Sequence, residues 1–119
     1  MTKEELGPWG EEFATNFLLQ NGYNLVQRNV RFKRYEVDIV AEKDDVLVVV
    51  EVKTRNTAEI GEPWRAVTKS KQRQIITVAD NYVQTNQIDK DVRFDIISIV
   101  HNTYRTNLEH IEGAFDTLR

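Results

Sequence analysis

The chain has 119 residues, 40% of them hydrophobic and 29% charged, with a net charge of −3 and no cysteine. That length predicts a single domain over residues 1–119 with a core of its own. The absence of cysteine excludes a disulfide framework and thiolate chemistry, and the net charge argues weakly against electrostatic coating of nucleic acid. No low-complexity tract, linker composition or internal repeat breaks the chain. The longest apolar run, Val46–Val50, is far too short for a bilayer, and MTKEELGPWG lacks the apolar stretch of a secretory signal. A reducing, cytoplasmic setting is therefore expected, with no membrane partner.

Pro8 can open a helix and Gly22 can close one. Phe13, Ala14, Phe17 and Leu18 recur between them at helical spacing, so the expected helix covers 8–21. Residues 24–34 alternate loosely through Leu25, Val30 and Phe32, as a half-buried strand does. Residues 36–42 alternate strictly, with Val37, Ile39 and Ala41 on one face and Glu36, Asp38, Val40 and Glu42 on the other. Asp44-Asp45 suits a two-residue hairpin turn, because Asp tolerates positive φ. Residues 46–54 are β-branched and apolar on both faces as far as Glu51, which predicts a central strand.

Residues 55–64 contain Asn56, Gly61 and Pro63 and are expected to form a loop. Ile75, Val78, Ala79, Tyr82 and Val83 give a second amphipathic helix over 68–84. Residues 94–100 are a further apolar strand. Beyond Asn102, Ile111, Phe115 and Leu118 suggest a short packed element of undefined type. The expected fold is α/β: a mixed sheet of four or five strands flanked by helices, in the order α-β-β-β-α-β. Its strand–helix–strand end allows a parallel crossover.

Charge is arranged in blocks. Arg28, Arg31, Lys33 and Arg34 form one basic stretch, and Arg65, Lys69, Lys71 and Arg73 form another. Between them, residues 36–51 hold six acids against a single Lys43. Acid flanked by base is what a metal-assisted phosphodiesterase requires, although two solvated surfaces would read the same way.

If the turn is Asp44-Asp45, Lys43 pairs with Val46, Asp38 falls opposite Glu51, and Glu36 falls opposite Lys53. Opposed residues have Cβ atoms about 4.5–5.5 Å apart, and like charges so placed repel. A half-buried Asp–Glu pair then needs a cation, or one carboxyl must keep its proton. Oxygen-only ligands favour Mg²⁺ or Mn²⁺. Lys53, on the same face, is placed to orient water or offset phosphate charge. An exposed strand face is the plainer alternative, disfavoured because the strand reads as central. Glu36 stands behind the ligands as a partner for Lys53, or as an ordinary cross-strand ion pair.

Asp38 followed after a hairpin by Glu51-Val52-Lys53 resembles the PD-(D/E)xK signature of restriction-endonuclease-like nucleases, with Val37 in place of the usual proline. Gly10-Glu11-Glu12-Phe13-Ala14, Arg28-Asn29, Glu36-Val37-Asp38-Ile39-Val40, Val50-Glu51-Val52-Lys53-Thr54-Arg55, Ala66-Val67 with Lys71, Arg93-Phe94-Asp95 and His110-Ile111 together resemble the YraN-like family. This is a bacterial group related to Holliday-junction resolvases. The resemblance implies a restriction-endonuclease-like domain and divalent-metal-dependent DNA hydrolysis at Asp38, Glu51 and Lys53.

It also implies a glutamate from the first helix as a third ligand. Glu11 and Glu12 both qualify; Glu11 shares a face with Ala14 and Leu18 and directly follows the glycine, so it is the choice. Lys71, with Gln72 on its flank, is the expected phosphate contact of the second helix, and Arg31, Lys33, Arg34, Arg55 and Arg65 are further nucleic-acid contacts. Junction resolution would require two active sites and hence a homodimer. The competing reading is a nucleic-acid-binding module that keeps the fold without cutting. His101 and His110 lack partners at ligand spacing and read as structural, and Trp9 and Trp64 read as packing residues.

Overall fold

The structure is a computed structural model and describes residues 1–57 and 67–117. The chain runs α1 (Lys3–Gln20), β1 (Asn24–Phe32), β2 (Tyr35–Lys43), β3 (Val46–Arg55), α2 (Lys69–Thr85), β4 (Asp91–His101) and β5 (Thr106–Phe115). The five strands form one sheet in the order β1-β2-β3-β4-β5. All pairs are antiparallel except β3–β4, which is parallel and spanned by the connection that carries α2. The mixed sheet and the central place of β3 are as expected.

Two expectations change. The first helix begins at Lys3, not at Pro8, because Thr2 and Glu5 form a reciprocal cap: Glu5 N–H donates to Thr2 Oγ1 at 3.3 Å and Thr2 N–H to Glu5 Oε1 at 2.7 Å. Pro8 sits inside the helix, where the carbonyl it cannot serve belongs to exposed Glu4. The tail beyond Asn102 carries a full strand, β5, while Leu118 lies outside the described residues. Its Ile111 pairs with Ile96 of β4, closing the sheet on that side.

Asp44 and Asp45 have φ of 53° and 64°, the pair of positive values that a type I′ hairpin turn needs. The turn sets the expected register, Lys43↔Val46 through Ile39↔Val50. Apolar side chains of β3 alternate between two cores. Leu47 and Val49 join Ile75, Val78 and Ala79 of α2, whereas Val48 and Val50 join Ala14 and Leu18 of α1. A residue on β3 therefore faces one helix or the other by parity, and Glu51 and Lys53 fall on the α2 side.

β2 does not keep that parity. Ile39 packs in the α1 core, but Val37, two residues earlier, packs in the α2 core. Its partner strand turns over at the same place. Arg28, opposite Ile39, reaches the glutamates of α1, while Val30, opposite Val37, joins the α2 core. Between them Asn29 takes φ 53°. The hairpin thus rotates about Asn29 and Asp38, and this rotation builds the site.

α1 lies close on the sheet because residue 10 is glycine. A Cβ there would stand 1.8 Å from Thr54 Oγ1, an impossible approach.

Candidate metal centre and its surroundings

The β2–β3 ladder stops at Ile39↔Val50, one step short of the pairing expected for Asp38 and Glu51. The Val52 N–H donates instead to Asp38 Oδ2 at 2.8 Å. The Asp38 side chain so takes the place of a ladder carbonyl, and its carboxyl lies near enough to that of Glu51 for each to act on the other's proton. The two carboxyls do meet. Their meeting comes from the rotated hairpin end rather than from flat cross-strand opposition.

Burial and the neighbouring Glu51 charge push the Asp38 carboxyl up to about 8; the Val52 N–H partly opposes them and the Glu11 charge adds to them. Burial also raises Glu51, against the pull of Lys71, Asp38 and Lys53. Glu51 is only 9% exposed, and its buried Oε1 has no hydrogen-bond partner among the described residues. Its Oε2 lies 3.6 Å from Lys71 Nζ.

A buried carboxylate oxygen with no donor carries a desolvation cost of about 1–3 kcal/mol. A hard cation between Asp38 and Glu51 would remove that cost, so the donor set fits a divalent ion that prefers oxygen. Among the described residues, no three acidic or histidine side chains converge into a ready-made cage. Glu11 is held aside: its Oε1 accepts from Asn29 Nδ2 at 3.2 Å and lies 3.9 Å from Arg28 Nη2. Glu12, more exposed, takes Arg28 Nη1 at 2.8 Å. Of the two acids, Glu11 is the one whose charge reaches Asp38.

The other expected residues divide. Lys53 is exposed, yet its charge bears on Glu51. Gln72 donates to the Val67 carbonyl at 3.3 Å and buries its Oε1 unpartnered. Arg55 is half-buried at the end of β3. Lys33 and Arg34 form the tip of the β1–β2 hairpin, each over a neighbouring ring, Phe32 and Tyr35. Arg65 and Trp64, and most of the expected loop 55–64, lie outside the described residues.

Glu36 corrects an expectation. It does not pair with Lys53: its cross-strand partner is Arg31, whose Nε lies 3.5 Å from Glu36 Oε2. The parity change at Asp38 is the reason, since counting back from Glu51 assumes strict alternation.

Sequence reasoning also missed how Arg28 and Asn29 hold Glu11. The Arg28-Asn29 dipeptide was visible, but its role depends on the turn-over of β1. A second buried network was missed as well. Fully buried Asp95 accepts from Arg93 Nε and Nη2 at 2.9 and 2.8 Å and from Gly113 N–H at 3.0 Å, with His110 Nε2 at 2.7 Å. Arg93 Nη2 also donates to the Tyr23 hydroxyl at 2.7 Å. Arg93 and Asp95, two apart on one strand face, were the available signal. Trp9 stacks on His101 at 3.9 Å between centroids, so both serve packing.

Residues 10–99 match the model of Uncharacterised protein family UPF0102. A UPF0102 protein of Christiangramia forsetii is 40% identical over 111 residues, covering 93% of each chain. Another, from Bacteroides fragilis, is 43% identical and covers 92% of this chain and 91% of its own. One from Chlorobium phaeobacteroides is 41% identical and covers 95% of both. The match runs from Gly10, within α1, through most of β4 and includes Asp38, Glu51 and Lys53. On this coverage, the chain belongs to the UPF0102 family, the YraN-like group that its motifs resemble.

Proposed function

We propose that this protein is a divalent-metal-dependent endonuclease that hydrolyses DNA phosphodiester bonds, with branched or junction DNA in repair or recombination as its substrate class. The observation that carries the reading is the buried Asp38–Glu51 pair with an unpartnered Glu51 oxygen and a cation on either flank.

Asp38 and Glu51 would hold Mg²⁺ or Mn²⁺. When bound, the ion supplies positive charge for the phosphoryl oxygens and makes the attacking water more acidic. The Val52 N–H fixes the Asp38 carboxylate beside Glu51. Lys53, exposed beside the pair, orients the water and offsets charge that builds on the phosphate. Lys71 leaves Glu51 for the incoming phosphate, a better counter-ion for its ammonium. Glu11, whose charge reaches Asp38, would join the ligands only by leaving Arg28 and Asn29. A cytoplasmic setting suits this chemistry, and no helix among the described residues is long and apolar enough to cross a membrane.

A second reading has an observation of its own. Lys71 already supplies Glu51 with a cation, which suits a module that binds nucleic acid without cutting it.

Junction, flap, duplex and single-stranded DNAs incubated with Mg²⁺ or Mn²⁺ separate the two. The wild type should cleave at least one substrate, and Glu51→Gln and Lys53→Ala should each lose activity by orders of magnitude. Lys53→Ala should keep its DNA affinity, because it removes no ligand and only one exposed cation. DNA binding by the wild type with no Lys53-dependent cleavage would make the binding module correct.

A further inference from the structure

The polar flank of α2 next to the metal centre carries a site that its charges and shape define. Ser70, Arg73, Gln74 and Thr77 follow each other at i, i+3, i+4 and i+7 and form one stripe along the helix. With Tyr35 they line a groove of about 160 Å³. Tyr35 also lines a second depression, of about 240 Å³, with Lys33 and Arg34 at the hairpin tip.

Both walls are basic. Residues 67–79 contain Lys69, Lys71 and Arg73 without an acid, and residues 31–35 contain Arg31, Lys33 and Arg34 without one. The nearest acid in sequence, Glu36, is taken by Arg31. Among the described residues, no carboxylate pairs with Lys33, Arg34 or Arg73. In a chain of net charge −3, a groove with that many uncompensated cations is a local reversal of the overall field.

The hydroxyl of Ser70 and the amide of Gln74 are donors that suit phosphate oxygens, and Tyr35 offers a ring face with a guanidinium beside it.

We propose that this groove between the β1–β2 hairpin tip and α2 binds a backbone phosphate of the DNA substrate, with Arg73, Lys33 and Arg34 as its cations. That the DNA is also cut rests on the nuclease reading of Asp38 and Glu51; the groove itself does not.

Fluorescence anisotropy with labelled single-stranded, duplex and junction DNA, in chelator to prevent cutting, tests it across a salt series. Arg73→Ala should weaken binding about five- to tenfold at 0.1 M salt and reduce the salt slope by about 0.7–0.9, the effect of one lost phosphate contact. Arg73→Glu and the double change Lys33→Ala with Arg34→Ala should cost more. Lys3→Glu, an equal charge change at the far end of α1, measures the global effect, and melting curves confirm that each variant folds.

Losses no greater than that of Lys3→Glu would overturn the proposal, as would competition by polyglutamate as strong as that of DNA. An RNA strand of the same sequence bound more tightly than DNA would overturn the DNA assignment. Arg73-dependent DNA binding without cleavage would uphold the groove and remove the nuclease reading. Cleavage unaffected by the Arg73 and hairpin changes would do the reverse.

Discussion

Replacing Asp38 with asparagine should stabilise the metal-free protein at neutral pH and flatten its pH dependence. Folding raises the Asp38 carboxyl from 3.8 to about 8, through burial and the Glu51 charge. The folded state therefore binds a proton that the unfolded state releases. This contribution is intact below 3.8 and is lost progressively as pH rises to about 8. Within that window the loss is about 1.4 kcal/mol per pH unit, or about 3 kcal/mol between about pH 5 and pH 7. For a chain of this size that corresponds to roughly 10 °C in melting temperature. Glu51 is raised in the same direction and adds to the slope. The substituted amide carries no proton to lose, keeps an acceptor for the Val52 N–H and gains a donor towards Glu51. Thermal unfolding by circular dichroism, in chelator at about pH 5, 6, 7 and 8, measures the difference. The wild-type curve should fall towards high pH while the Asp38→Asn curve stays nearly level. Parallel curves would refute the claim that these carboxyls are forced together in a poorly solvated site.

The remaining predictions use other parts of the molecule. Mg²⁺ or Mn²⁺ should raise the wild-type melting temperature by mass action, with about 2.7 kcal/mol gained at a hundredfold excess over Kd. Glu51→Gln and Asp38→Asn should abolish this response, and equal shifts in all three proteins would exclude a specific site. Gly10→Ala should cost about 1–3 kcal/mol in urea unfolding, because its methyl meets Thr54 Oγ1, and Thr54→Ala should recover part of the loss. Asp95 titrates in the opposite sense to Asp38: burial raises it, but hydrogen bonds from His110, Arg93 and Gly113 outweigh burial and hold it below 3.8. Its contribution is thus present above 3.8 and lost as pH falls through the lowered value. Asp95→Asn should cost about 3–5 kcal/mol at neutral pH by leaving Arg93 without its carboxylate, and should remove part of the acid-unfolding limb in a pH-jump melt.

The strands, and the charged residues that they carry, were legible in the sequence because their signals are local. β-branched runs, the Asp44-Asp45 turn and a period of two specify the β2–β3 register from Lys43↔Val46 to Ile39↔Val50. The capping pair Thr2 and Glu5 is equally local, and it starts the helix ahead of Pro8, whose missing N–H costs little near an exposed helix start. The tail was harder. Thr106–Phe115 has few apolar residues and becomes a strand by pairing with β4, an edge that the sequence does not reveal.

What only the tertiary structure decided lies at Asp38. Parity counting put Glu36, Asp38, Glu51 and Lys53 on one face. The hairpin rotates about Asn29 and Asp38 so that Val30 and Val37 can enter the α2 core while Ile39 stays in the α1 core. That rotation sends Glu36 to Arg31, gives the Asp38 oxygen to the Val52 N–H, and leaves the other side of Asp38 against Glu51. The sequence by itself determined which residues carry charge and which strands carry them. The faces those charges share depended on two helices competing for the apolar side chains of one sheet, a condition no stretch of the chain contains alone.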